Sequence, residues 1–259
     1  MTNTTLKLIA MALMLLDHLH TFLPDMPLWF TWLGRISAPL FIFSMTWGIF
    51  YTHDRKAYVW RLYLFGLVMA AGDLVLWLFV ENPMVDYITN NIMVTLLLTT
   101  YLIIAIEFLR GERKDRKRGW WMLVALVLVQ IASMGVIYAL GPVYGGDPVR
   151  GVISAVLPNL LFCEGSIFFV FYGVALYYVR NVRIGLILVN VLIAAFFLLL
   201  GWPKTAEQLF STDFQWMMIA ALPLMLTYNG KKGQGYKWLF YVFYPVHIFL
   251  LYWLGGLLI

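Results

Sequence analysis

Basic residues in this chain stand in the gaps between apolar runs and alternate from one gap to the next. If the runs cross a membrane, fifteen of the 18 Lys and Arg fall on one face. These are Lys7; Arg55, Lys56 and Arg61; the run from Arg110 to Arg118; Arg180 and Arg183; and Lys231, Lys232 and Lys237. The other face receives Arg35, Arg150 and Lys204, together with Asp25, Glu81, Asp86, Asp147, Glu207 and Asp213. Lys and Arg accumulate in cytoplasmic loops, so the expected N-terminus is cytoplasmic, the C-terminus is outside, and the number of spans is odd. Composition agrees: with 63% hydrophobic and 12% charged residues and a mean hydropathy of +0.83, no soluble arrangement of 259 residues hides this much apolar surface.

A helix needs about 20 mostly apolar residues to cross the hydrocarbon core. Nine stretches qualify or nearly so, at approximately 5–23, 32–52, 60–80, 89–109, 120–140, 151–179, 184–201, 213–228 and 237–258. The expected fold is an all-α polytopic transmembrane bundle of about nine spans, within a range of eight to ten, forming one integral domain over residues 1–259. The sixth stretch is long enough to be tilted or broken, and Pro158 with Cys163-Glu164-Gly165 marks where a break falls. Lys7 alone precedes the first run and no small-x-small cleavage pattern follows it, so this run reads as a retained span. Trp29, Trp32, Trp120, Trp121, Trp202 and Trp216 sit at run edges, where an indole buries its rings and reaches headgroups with its N–H. The net charge of +5 belongs to membrane topology, not to nucleic-acid binding. Cys163 alone supports neither a disulfide nor a multi-cysteine metal site, and no metal is expected.

Ionisable residues inside apolar runs are the functional candidates. A charged side chain at the bilayer centre costs on the order of 2.5–3.5 kcal/mol even on the lenient insertion scale, so such groups face protein or water and mark sites. The first run ends in Asp17-His18-Leu19-His20, and the last carries Tyr244-Pro245-Val246-His247. At 1.5 Å per residue, His18 lies roughly 16 Å beyond Lys7, His247 roughly 15 Å beyond Lys237 and Asp73 about 18 Å beyond Arg61. The three share one depth, as a buried reaction centre or a proton path requires. An alternative is that Asp17 with His18 or Asp73 only ties helices together. His20 is about 200° around the helix from His18 and faces elsewhere. Arg61, with Arg55 and Lys56, offers phosphate-binding forks on the cytoplasmic side. Arg35, in Gly34-Arg35-Ile36-Ser37-Ala38-Pro39, stands on the sparsely basic side, where anchoring and function weigh equally. Tyr228-Asn229-Gly230-Lys231-Lys232-Gly233 combines close-approach glycines with two cations, although Asn-Gly is also an ordinary turn signal. No phosphate-binding P-loop, zinc-helix motif or G-x-S-x-G elbow occurs.

These residues carry a family resemblance. Leu6 to Met11 leading into Met14-Leu15-Leu16-Asp17-His18, Gly34 to Phe41, Asn91 to Leu96, Glu164-Gly165, and the C-terminal block Leu226 to Gly233 followed by Lys237 to His247 resemble the TraX family of integral-membrane proteins. Its named member acetylates the N-terminus of conjugative pilin. That family is similar in turn to polytopic acyltransferases, in which a histidine near the end of the first span acts in catalysis and acyl-CoA enters from the cytoplasm.

The resemblance implies acetyl transfer from cytoplasmic acetyl-CoA to an amine or hydroxyl of an exported peptide, protein or surface glycan, in the bacterial cytoplasmic (inner) membrane. Arg61, Lys231 and Lys232 are expected to hold CoA, with Asn229, Lys237 and Arg35 in the same binding set. His18, oriented by Asp17 or Asp73, is the expected general base, His247 its companion, and Asn91 and Tyr244 the groups polarising the thioester carbonyl. An acetyl-histidine relay is the rival form. Two other classes use the same buried residues: a proton-coupled transporter, and an assembly protein in which they only fix helix packing.

Overall fold

Short polar side chains at the starts of the apolar runs set where helices begin. The computed structural model describes residues 1–88, 91–111 and 115–258, and the side chain of Lys237 lies outside the description. Its helices are α1 Asn3–Phe22, α2 Trp29–Gly34, α3 Ser37–Tyr51, α4 Arg55–Phe79, α5 Ile92–Leu109, α6 Arg116–Tyr144, α7 Gly146–Val156, α8 Ser166–Val179, α9 Arg183–Leu199, α10 Ala206–Ser211, α11 Ala221–Leu226 and α12 Lys237–Leu257, with a 3₁₀ segment Phe214–Ala220 before α11. Thr2 Oγ1 caps α1 by accepting from Thr5 N at 3.2 Å, and Asp115 Oδ1 caps α6 by accepting from Arg118 N at 3.0 Å. Such caps satisfy amides that the helix itself leaves free.

The protein is all-helical, with no strand among the described residues, and six helical segments are long and apolar enough to cross a membrane: Asn3–Phe22, Trp29–Tyr51, Arg55–Phe79, Ile92–Leu109, Arg116–Tyr144 and Trp238–Leu257. Three further apolar segments, α8, α9 and Phe214–Leu226, are shorter. At 14 and 17 residues, α8 and α9 reach only about 21 and 26 Å. The nine expected stretches therefore separate into six of spanning length and three that fall short of it. Exposed Leu128, Ile131, Leu188 and Leu192 line α6 and α9. Such apolar helix faces suit a hydrocarbon solvent.

Contacts divide the chain into two compact units, Met1–Gly48 with Val80–Asp86 and Ala175–Ile259, and Ile49–Phe79 with Tyr87–Val174. The second unit is built around α5, most of which is buried, with the largely exposed α6 at its rim. The expected break in the sixth stretch is present between α7 and α8, at 157–165. Irregular backbone at membrane depth survives only where protein satisfies its polar groups, and polar side chains of α5 and α6 do so here. Gln130 donates to Pro158 O at 2.9 Å and accepts from Leu160 N at 2.7 Å. Asn159 donates to Ser133 Oγ at 2.6 Å, and Thr95 donates to Glu164 O at 2.8 Å. Buried Cys163 lies in this segment with its thiol near Leu160 O, as a packing residue.

In the first unit α1 and α12 run parallel. Lys7 lies over the Phe240 ring, His18 meets His247, and Phe22 meets Tyr252. At one end the loop before α12 clasps the chain start. Asn3 N donates to Lys231 O at 2.9 Å, Thr4 N to Lys232 O at 3.1 Å, Asn229 N to Met1 O at 2.9 Å, and the Met1 amine to Thr227 O. At the other end the buried Asn82 amide donates to Phe22 O at 3.3 Å and to Tyr252 O at 2.9 Å. The clasp needs Gly233, which has φ +78° and sits where a Cβ would lie 2.6 Å from Thr2 Oγ1. Gly233→Ala combines a strained φ with a collision, so it is expected to lower stability by about 1–3 kcal/mol. Faster proteolytic cleavage near the chain start, with the α1–α12 core intact, is the measurement that checks it.

The indoles only partly follow the headgroup expectation. Trp29, Trp120, Trp121 and Trp202 are exposed, whereas Trp32 and Trp216 donate their N–H groups to Phe210 O at 2.9 Å and Leu209 O at 3.1 Å. These last two indoles pin α10 to its neighbours.

Candidate functional site

The feature that organises the first unit is a histidine pair on the seam between its parallel helices. His18 Nδ1 lies 2.8 Å from His247 Nε2, and the rings stack at 5.0 Å with 17° between planes. His247 is buried and its Nδ1 lies 2.6 Å from Phe243 O, one turn earlier on α12. A carbonyl only accepts, so Nδ1 of His247 carries the proton and its Nε2, in the neutral ring, is an acceptor. His18 Nδ1 must then donate to it, leaving His18 Nε2 as a lone pair. That nitrogen has no partner among the described residues. The Phe243 ring, stacked 4.4 Å from His247, and Phe22, 5.6 Å from His18, enclose the pair in apolar surface. Buried Tyr244 packs at 6.1 Å from His247. Pro245, two residues before His247, removes a helix hydrogen bond within this stretch.

Depth and facing match the arithmetic of the helix. Lys7 precedes His18 by eleven residues, which is about three turns, so both lie on one face of α1. Phe240 precedes His247 by seven residues, about two turns, and faces the same seam. Half-buried Lys7 holds its ammonium 5.2 Å above the Phe240 ring. Lys7 is a candidate that sequence reasoning missed, having used it only to mark the cytoplasmic edge; the eleven-residue spacing was the available signal.

Asp17 does not orient His18. Its Oδ2 pairs with Arg35 Nη2 at 2.5 Å, and one residue of helix turns it about 100° away from the histidine's direction. Arg35 also donates to Gln215 Oε1 at 3.2 Å and Thr31 O at 3.4 Å, and stands 5.6 Å from the Phe214 ring. α2 comes this close because residue 34 is glycine: a Cβ there would overlap the Asp17 side chain. Arg35 therefore ties α1 to α2 and the 3₁₀ segment, a structural role in place of the expected share in holding CoA. Asp17 follows Asn3, where the Lys231 loop sits, by fourteen residues, or about 21 Å of helix. Arg35 is thus remote from Lys231 and Lys232. His20 donates to or accepts from no seam group; its Nδ1 lies 2.8 Å from Met26 O, closing the turn after α1.

The Asn229–Gly233 loop also differs from its expected form. Asn229 Oδ1 accepts from Lys231 N at 3.1 Å, Asn229 N donates to Met1 O, and the lysine carbonyls cap α1, so these backbone groups are committed within the protein. What the loop offers outward is the exposed Lys231 and Lys232 side chains. Lys237 opens α12, but its side chain lies outside the described residues.

The remaining candidates lie in the second unit. Asn91 caps α5, its Oδ1 accepting from Met93 N at 3.2 Å and its Nδ2 donating to Gly66 O at 2.9 Å. That commitment to backbone replaces the carbonyl-polarising role expected of it. Asp73 is buried on α4, with Oδ1 unpartnered. Tyr87, buried against Gly151, likewise has an unpartnered hydroxyl, and burial, with Asp73 and Asp147 adding negative charge, pushes its phenol well above the usual range. Arg61 lies 5.8 Å from the Tyr58 ring with a buried, unpartnered Nε, while Arg55 pairs with Glu107.

A polytopic helical membrane protein with a two-histidine centre on its first and last helices is the class this geometry defines. Within that class the chain belongs to the TraX family: the family described as TraX protein matches residues 2–144, which carry His18, Asp17, Arg35 and Asp73. No curated protein and no solved structure matches the chain.

Proposed function

We propose that this protein is a membrane-embedded acetyltransferase that takes an acetyl group from cytoplasmic acetyl-CoA and delivers it to an amine or hydroxyl of an exported acceptor, a peptide N-terminus being the case its family resemblance suggests. The observation that carries the reading is the His18–His247 pair. Its hydrogen-bond chain, ending on Phe243 O, leaves one free lone pair, on His18 Nε2, inside an apolar seam.

In the reaction His18 Nε2 takes the proton from the acceptor N–H or O–H as that atom attacks the thioester carbonyl carbon. The C–N or C–O bond forms, the C–S bond breaks, and His18 Nε2 returns the proton to the departing thiolate. His247 steadies the transient imidazolium by accepting from His18 Nδ1 throughout. A neutral imidazole suits this work, because its unperturbed pKa of about 6.5 is close to neutral pH.

Lys7 is the group suited to the first phosphate of the donor. The pantetheine arm has about twelve bonds from phosphate to sulfur, equivalent to four extended residues or roughly 14 Å. The helix rise from Lys7 to His18 is about 16 Å. The reading rests on the first unit alone. It carries the rest of the topology with it: an odd number of spans, nine in this proposal, with the N-terminus cytoplasmic, the C-terminus outside and the protein in the inner membrane. The parallel course of α1 and α12 supports that parity, since both start from one face.

The test is to incubate detergent-purified protein with radiolabelled acetyl-CoA and follow binding, thioester loss and label retained on the chain. Specific binding with turnover supports the reading, and Lys7→Met is expected to weaken acetyl-CoA binding by about tenfold or more through lost phosphate contact. Absence of binding by well-folded protein would overturn it and favour proton-coupled transport. Stable label on His18 would replace direct transfer by an acetyl-histidine relay.

A further inference from the structure

At the end of the first unit where α1 begins, cations stand with none of this unit's described carboxylates among them. All six of this unit's acidic residues, Asp17, Asp25, Glu81, Asp86, Glu207 and Asp213, belong elsewhere. Asp17 is fourteen residues into α1, and Asp25 follows that helix. Glu81 and Asp86 flank Asn82, which is bonded to Phe22 O at the far end of α1. Glu207 and Asp213 belong to the α10 region, joined to α2 through Trp32 and Phe210.

Membrane topology alone accounts for the sign of this end, but not for its aromatic groups. The Arg180 guanidinium lies 4.3 Å from the Tyr177 ring centroid and 5.9 Å from the Trp47 ring, and it donates to Tyr177 O. The Trp47 ring meets Tyr228 at 4.9 Å, and Phe43 meets Tyr228 at 5.7 Å. Tyr228 leads directly into Asn229-Gly230-Lys231-Lys232, the loop pinned to the first turn of α1. A planar cation held in place by aromatic rings is thus joined, through Trp47 and Tyr228, to a pinned loop that carries two exposed lysines. The Trp47 and Tyr177 rings are themselves buried, so the half-buried guanidinium is the group that meets a ligand. A planar guanidinium stacks on heteroaromatic bases, and ammonium groups meet phosphates as point charges.

We infer that Arg180, on its Trp47–Tyr177 platform, together with Lys231 and Lys232 forms a subsite for a nucleotide, and that it receives the adenine nucleotide end of the acyl donor. This rests on the acetyl-CoA reading above and assigns to it a part that the histidine seam does not cover. Lys7 then takes the phosphate nearest the arm, while base and remaining phosphates lie on the clasp. The subsite recognises the nucleotide, and the thioester arm binds elsewhere.

The test compares acetyl-CoA with acetyl-4′-phosphopantetheine, which keeps the arm and one phosphate but lacks the nucleotide. Both are competed against radiolabelled acetyl-CoA on full-length protein in phosphatidylcholine nanodiscs, with and without phosphatidylglycerol. The wild type is expected to prefer acetyl-CoA by about tenfold or more. Arg180→Ala is expected to lose most of that preference, Lys231 and Lys232 keeping the remainder, while leaving acetyl-4′-phosphopantetheine binding unchanged. Arg180→Lys keeps the charge without the planar face, so it should lose most of the preference too; its milder change preserves the test if the alanine variant folds poorly. Equal binding of both donors by the wild type, or a preference that survives undiminished in both variants, would overturn the inference while leaving the acetyltransferase reading intact. So would phosphatidylglycerol displacing acetyl-CoA from the wild type but not from Arg180→Ala with the preference unaltered, which would make this a lipid-headgroup site. If the wild type binds neither donor, the acetyl-CoA reading fails and this inference fails with it.

Discussion

Acetyl transfer by His18→Ala is expected to fall by about 10²–10⁴-fold, the contribution of a positioned general base. His247→Ala should fall nearly as far although it removes no group that takes the acceptor's proton. Without His247 Nε2 as acceptor, nothing holds the proton on His18 Nδ1, so the reactive lone pair is no longer fixed on Nε2 and the imidazolium loses its partner. His247→Gln separates these two effects. Its amide oxygen can still accept from His18 Nδ1 but cannot share positive charge, so its activity should lie between wild type and His247→Ala. Steady-state label transfer from acetyl-CoA, measured on variants that elute as folded protein, decides the matter. Full activity in either alanine variant would remove the dyad from catalysis, and joint loss of folding and function would make it a packing element of an assembly protein.

Arg35→Met is expected to destabilise the protein by about 3–5 kcal/mol, because it strands the Asp17 carboxylate inside the helical unit. The side chains of the pair are only 23% and 13% exposed, so solvent screening relieves little of this. Gln215 Oε1 loses its donor in the same step, whereas Thr31 O keeps the backbone N–H of residue 35. The double variant Asp17→Asn/Arg35→Met removes the buried charge with its partner and should recover most of the loss. Thermal unfolding in one detergent, across the two single variants and the double, measures the coupling. A double variant no more stable than Arg35→Met would show that Arg35 acts through its carbonyl and Gln215 contacts and not through the ion pair.

Much of this architecture is legible in the chain. Lipid excludes charge, so the spacing of apolar runs and basic gaps reports helices directly, and Pro158 with Gly165 placed the break between α7 and α8. The common depth of His18 and His247 followed from a constant rise per residue, and the two rings meet. Roles that depend on direction around a helix were harder to see. Asp17 is adjacent to His18 in sequence but about 100° from it in space, and the group that claims it, Arg35, is eighteen residues further on. Asn91 reads as a donor for a thioester, yet the unsatisfied amides at the start of α5 claim its side chain first. Asn229-Gly230-Lys231-Lys232-Gly233 reads as an anion loop, while its lysine carbonyls are drawn to the free amides of α1 and its lysine side chains face outward.

The sequence by itself determined the apolar character, the helical class, the positions of the six helices long enough to span and the level at which two histidines lie, since each follows from local hydropathy, charge and helical rise. Tertiary structure alone decided which polar group each candidate faces: the tautomers of the histidine pair, the Asp17–Arg35 tie, and the Arg180 platform beside the clasp. Hydrogen bonds and ion pairs act over a few ångströms and in one direction, and partners more than two hundred residues apart along the chain acquire that direction only when α1 and α12 pack.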